Sequence, residues 1–94
     1  MRKYECTFII NPEKEEDAKQ IIEEIKTQLK ENKGKVNEID EWGIKPLAYE
    51  IKGHSNGFYT VINFEIDPQK TNTFKEFLKK NNNILRYILV VKGK

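Results

Sequence analysis

A chain of 94 residues holds one domain around one modest core. With 34% charged and 37% hydrophobic residues it fits a folded soluble protein rather than a disordered one. A net charge of +2 excludes a strongly basic field over the whole surface, so any nucleic-acid contact must be local. No apolar run is long enough to span a bilayer, and the start Met1-Arg2-Lys3-Tyr4 lacks the apolar core of a signal peptide. The single Cys excludes an internal disulfide, so a reducing cytoplasm is expected.

Residues 2–10 alternate as a strand, with Tyr4, Cys6, Phe8 and Ile10 on one face and Lys3, Glu5, Thr7 and Ile9 on the other. Asn11-Pro12 ends it and opens a helix, Asn as cap and Pro at the first helical position. Glu13, Glu15, Glu16 and Asp17 then suit the positive end of the helix dipole. Ala18, Ile21, Ile22, Ile25 and Leu29 recur at helical spacing as one buried stripe, and Gly34 is the expected stop. An interrupted strand follows over 35–51. Gly43 predicts a bulge, and Pro46, which has no N–H to give a ladder, predicts an edge position or a departure from the sheet there. Leu47, Tyr49 and Ile51 alternate again beyond the break. The turn is expected within Lys52-Gly53-His54-Ser55-Asn56-Gly57, where Asn-Gly readily takes positive φ.

Residues 58–66 form the return arm, with Phe58, Thr60, Ile62, Phe64 and Ile66 on one face and Tyr59, Val61, Asn63 and Glu65 on the other. Asp67-Pro68 repeats the cap-and-proline device. A second helix runs to about Lys80 with Phe74, Phe77 and Leu78 inward, Asn81-Asn82-Asn83 is a loop, and the last strand spans 84–92. The order β-α-β-β-α-β with right-handed crossovers gives a four-stranded antiparallel sheet, order 4-1-3-2, with both helices on one face: the ferredoxin-like α+β arrangement. The interrupted strand falls on an edge, as its proline requires.

The sheet face away from the helices must meet water or a partner. Placing Ile88 and Val90 inward leaves Tyr87, Leu89 and Val91 on the open face, beside Thr7 and Ile9 of the first strand and Tyr59, Val61 and Asn63 of the third. Ile9, Tyr59, Val61, Leu89 and Val91 are thus expected to form one apolar patch, of the kind that marks an interface on a small protein. Single exposed apolar residues are ordinary; five together are not.

The residues offer little to catalysis. His54 stands alone in a polar turn and Cys6 on an inward face, so no metal site, cofactor or nucleophile is expected. Glu15 and Lys19 pair at i,i+4 on a solvated helix face. No phosphate-binding glycine loop or paired buried acids occur. The same topology serves RNA-recognition motifs, which stack bases on aromatics of the first and third strands. Gly57-Phe58-Tyr59-Thr60-Val61-Ile62-Asn63-Phe64 departs from that signature: Tyr59 and Thr60 replace the small and aromatic residues, and Asn63 the last aromatic. Arg2 and Lys3 open the first strand. Arg86 and Lys92 lie on its neighbour, and Arg2, Lys3, Lys92 and Lys94 are expected to converge at one sheet end, where cations suit phosphates.

The chain resembles the bacterial small-subunit ribosomal protein S-six family. The resemblance runs from Met1-Arg2-Lys3-Tyr4-Glu5 through Asn11-Pro12 and is most specific at Trp42-Gly43-Ile44-Lys45-Pro46-Leu47-Ala48-Tyr49-Glu50-Ile51. It closes with Leu85-Arg86-Tyr87 and Val90-Val91-Lys92. It implies a structural, non-enzymatic protein of the cytoplasmic small subunit that joins ribosomal protein S-eighteen and binds the central domain of small-subunit ribosomal RNA. It implies Arg2, Lys3, Arg86 and Lys92 as RNA contacts, and neither membrane nor small-molecule substrate. Tyr87 stands where some members carry a basic residue, and the acidic C-terminal tail of some members is absent. Two other readings stay open on the residues alone: a small ferredoxin-like hydrolase, disfavoured by the acid in Asn11-Pro12-Glu13-Lys14, and a self-associating regulatory domain.

Overall fold

The computed structural model describes residues 2–11 and 15–92. Strands β1 (Arg2–Ile10), β2 (Lys35–Ile51), β3 (His54–Ile66) and β4 (Ile84–Val91) and helices α1 (Glu15–Glu31) and α2 (Thr71–Lys80) follow in the order β1-α1-β2-β3-α2-β4, and a short 3-10 turn, Pro68–Lys70, precedes α2. The sheet order is β2-β3-β1-β4, which is the expected 4-1-3-2 read from the other edge, and every neighbouring pair is antiparallel. Expected cap residues Pro12 and Glu13, the side chains of Glu15 and Glu16, and Lys94 lie outside the described residues.

One sheet face packs on the helices because the alternation puts large apolar side chains there. Tyr4, Cys6, Phe8 and Ile10 of β1 and Phe58, Ile62, Phe64 and Ile66 of β3 form the core with the α1 stripe and with Phe74 and Leu78 of α2. Phe64 anchors it: its ring stacks on Tyr4 at 5.7 Å and meets Phe74 edge-on at 5.3 Å, both within favourable aromatic range. Thr60 shares this face, and its Oγ1 has no hydrogen-bond partner among the described residues.

α1 ends with a paired-bond cap: Gly34 N donates to Leu29 O (2.7 Å) and Lys33 N to Lys30 O (2.9 Å). Lys33 therefore takes the left-handed position, at φ 62°, with Gly34 following it. Left-handed backbone costs a residue with a Cβ roughly 1 kcal/mol. Lys33→Gly is accordingly expected to raise stability by about 1 kcal/mol, or about 4–8 °C in Tm for a domain this size, measurable by thermal melting. At the second cap, Asp67 Oδ1 accepts from Gln69 N (2.9 Å) as expected of Asp-Pro. It caps the 3-10 turn rather than α2 itself, whose first turn begins at Thr71.

The β2–β3 hairpin differs from expectation at its tip. The turn is Lys52-Gly53, both with positive φ (50° and 82°), a two-residue connection with the twist hairpins favour. Asn56-Gly57 lies inside β3. Gly57 serves close approach instead: a Cβ there would collide with Ile9 Cγ2 and touch Leu47 Cδ2. Along β2 the pairing skips at Asn37 and Trp42 and breaks between Pro46 and Ile51. Gly43, at φ 85°, completes the expected bulge at Trp42. Past Pro46, residues 47–50 leave the ladder and cross the open face of the sheet.

Candidate interaction surface

Four consequences of this geometry define the open face. First, the crossing segment covers part of it. Leu47, Ala48, Tyr49 and Ile51 roof a concavity of about 250 Å³ floored by Thr7, Ile9, Tyr59 and Ile88, with Arg86 at its side. Arg86 Nη1 donates to the Tyr49 hydroxyl and ties the roof to β4. Ile9, expected in an exposed patch, is therefore only 6% exposed, and Val61, expected beside it, is 8% exposed between Thr7 and Asp40. Nothing in the local pattern shows the cover over Ile9, because it follows from where residues 47–50 go after leaving the ladder at Pro46.

Second, the faces of β4 are exchanged relative to expectation. Ile84 pairs with Ile10 and Arg86 with Ile9, so Leu85 is an extra residue between them. Ile84 and Leu85 are both buried, and a one-residue bulge reverses every side chain beyond it. Leu89 and Val91 thus lie opposite Cys6 and Tyr4 on the helix side, with Tyr87 opposite Phe8. Leu89 and Tyr87 pack on the core. Ile88 and Val90, expected inward, stand opposite Thr7 and Glu5 on the open face, each 49% exposed. Arg86 was the available signal: a guanidinium does not enter this core, and Ile88 and Val90 share its face.

Third, the cations separate into two places. Lys92 N donates to Lys3 O (2.8 Å), so Lys3 and Lys92 meet at one sheet end, with Arg2 beside them on the helix side opposite Ile66. Lys92 Nζ lies 3.3 Å from Glu5 Oε2, an exposed pair that holds the side chain over the sheet more than it stabilises the fold. Arg86 is six residues away, about 20 Å along the strand, and is committed to Tyr49.

Fourth, Trp42 lies over Tyr59. Their ring planes are 10° apart with centroids at 6.5 Å, and Trp42 Nε1 donates to Asp40 Oδ2 (2.9 Å). Half of the Trp42 surface, 51%, is exposed.

The chemistry-bearing side chains are otherwise quiet. His54 begins β3 directly after the turn, half-buried and opposite Ile51. Cys6 is fully buried between β3 and β4, and burial pushes its thiol far above the ordinary range, with a backbone hydrogen bond at Ile88 opposing the shift. The native thiol therefore stays protonated at neutral pH. Its reaction with a disulfide reagent is expected to be about a hundredfold or more slower in buffer than in denaturant, followed by absorbance. Among the described residues no group of three or more His, Cys, Asp or Glu is placed to hold a metal ion, and no helix is long and apolar enough to cross a membrane.

Comparison with known proteins bears on the whole arrangement. A family model described as Ribosomal protein S6 matches residues 3–91. The chain is 40% identical over 91 residues to the small ribosomal subunit protein bS6 of Clostridium beijerinckii, covering 96% of each. It is 41% identical over 93 residues to bS6 of Shouchella clausii, covering 98% of this chain and 97% of the relative. The crystal structure of 30S ribosomal protein S6 from Thermotoga maritima matches with a TM-score of 0.92 at 34% identity, over 97% of this chain and 87% of that one. With the family model spanning residues 3–91, relatives at about 40% identity over nearly the whole chain and the shared sheet architecture, the chain belongs to the ribosomal protein S6 family, structural proteins of the small ribosomal subunit and not enzymes.

Proposed function

We propose that this chain, acting as a single domain over residues 1–94, joins ribosomal protein S-eighteen and that the pair binds small-subunit ribosomal RNA in the cytoplasm. The observation that carries this reading is a division of the open face. Ile88 and Val90 stand exposed along β4, next to the roofed concavity and Tyr49, and offer an apolar strip to a protein partner. At the end of the same strand Lys92 meets Lys3, with Arg2 adjacent, and offers cations to phosphates. The near-neutral chain has too little charge to hold RNA over its whole surface, so a protein partner and a local basic end act together. Of the residues first expected to meet the partner, Tyr59 stays half-buried on the open face and Val91 is exposed on the helix side; Ile88, Val90 and Tyr49 take the places of the buried Ile9 and Val61.

The RNA half is tested by filter binding of the pair to a central-domain RNA fragment across a salt series. Arg2→Ala with Lys3→Ala is expected to lower affinity and to flatten the dependence of log K on log salt by about one per lost phosphate contact. Wild-type slope in the double variant would place the RNA contacts elsewhere.

A further inference from the structure

We infer that Trp42, Tyr59 and Asp40 form a docking site for an arginine side chain of a partner polypeptide, at the β2 margin of the open face. Three observations carry it. The Trp42 ring is held at both its polar and its apolar part: Nε1 is engaged by Asp40 Oδ2 at 2.9 Å, and one ring face lies against Tyr59. No second ring stacks on it among the described residues, and half of the residue is exposed within a bulge on an edge strand. The charge before it on β2 is negative, while Lys45, opposite Gly57, is the cation that follows it. Asp40 pairs with Val61 and Glu38 with Asn63, which sets both carboxylates on the open face, two residues apart along β2 and both exposed.

A fixed indole with a carboxylate at its edge selects for a planar cation. A guanidinium stacks on the ring face while its N–H groups reach the carboxylate, a combination the ammonium of lysine matches less well. Phosphate or a nucleobase on its backbone would meet Glu38 and Asp40 at close range, and like charges there repel. The same face supplies the opposite sign at its other margin, through Lys3, Arg86 and Lys92, so arginine and phosphate are sorted to different edges of one sheet. The site depends on none of the RNA-contact residues and on no particular identity of the partner.

Trp42 is the only tryptophan, so its emission reports the site without a label. The probe is an acetylated, amidated alanine-glycine peptide with two arginines, titrated at low ionic strength beside the same peptide with lysines and beside an oligouridylate. A saturable change in emission is expected with the arginine peptide, about threefold weaker with lysine. Asp40→Asn keeps an acceptor for Nε1 and removes the charge; it is expected to weaken arginine-peptide binding about threefold, and Glu38→Gln in the same direction, with melting temperatures near wild type. Equal response to lysine and arginine, indifference to Asp40→Asn, or a stronger response to the oligouridylate would each overturn the assignment, the last by making Trp42 a base-stacking platform.

Discussion

Val61→Glu is expected to cost about 3 kcal/mol or more of stability, lowering Tm by about 15 °C, because the introduced carboxyl enters a covered place rather than an open one. Val61 is only 8% exposed, opposite Thr7 on β1 and Asp40 on β2. A group buried there has a folded-state pKa above its unfolded value of about 4.3. The neutral form is favoured in the fold, so the deficit is smallest below about pH 4 and grows as pH rises through the folded pKa. Thermal melting at pH 4 and pH 7 measures this. A variant melting like the wild type at both would mean that Val61 lies on an open surface after all.

Ile88→Glu is expected to do the reverse. Ile88 is half-exposed on β4, and Arg86 two residues away on the same face can accommodate a carboxylate, so the fold should melt within a few degrees of wild type. Binding to ribosomal protein S-eighteen, read by calorimetry, is expected to fall about tenfold or more, since a charge in the apolar strip must be desolvated on docking. Val91→Glu is the control. Val91 is similarly exposed but lies on the helix side opposite Tyr4, and is expected to leave binding within about twofold. Equal losses from both would put the partner at the β4 edge rather than on the open face.

These two variants mark where the sequence is readable and where it is not. β1, β3 and the α1 stripe follow directly from residue order, because each carries one clearly apolar face and a strict period. Pro46 and Gly43 likewise announce an edge strand with a bulge before any coordinates are known. β4 is different. Residues 87–91 are apolar on both faces, so periodicity cannot choose between them, and the extra residue at Leu85 reverses the parity that Ile84 suggests. The charge of Arg86 breaks the tie, and it outweighs two methyl-rich side chains because a guanidinium buried without a partner costs far more than an exposed isoleucine.

Pro46 announces that the strand can leave the sheet, but not that it then covers Ile9. The roof arises when residues 47–50 leave the ladder, a tertiary event made possible by Gly57, whose missing Cβ lets Ile9 and Leu47 approach the strand. An Asn-Gly pair reads as a turn in any local scheme, and the actual turn, Lys52-Gly53, places a lysine at φ 50° where asparagine or glycine is commoner. The candidate site suffered accordingly. Its basic end at Lys3 and Lys92 follows from antiparallel pairing of termini, whereas its apolar part moved from Ile9, Val61, Leu89 and Val91 to Ile88, Val90 and Tyr49.

The central claim is that the open face is completed by a different protein, and that the pair, not the chain alone, engages RNA. Sedimentation velocity of the purified chain, alone, with ribosomal protein S-eighteen, and with both and a central-domain RNA fragment, tests it most directly. A monomer alone, a one-to-one pair with the partner and a single ternary species with RNA are the expected result. A stable homodimer that ignores the partner would contradict it.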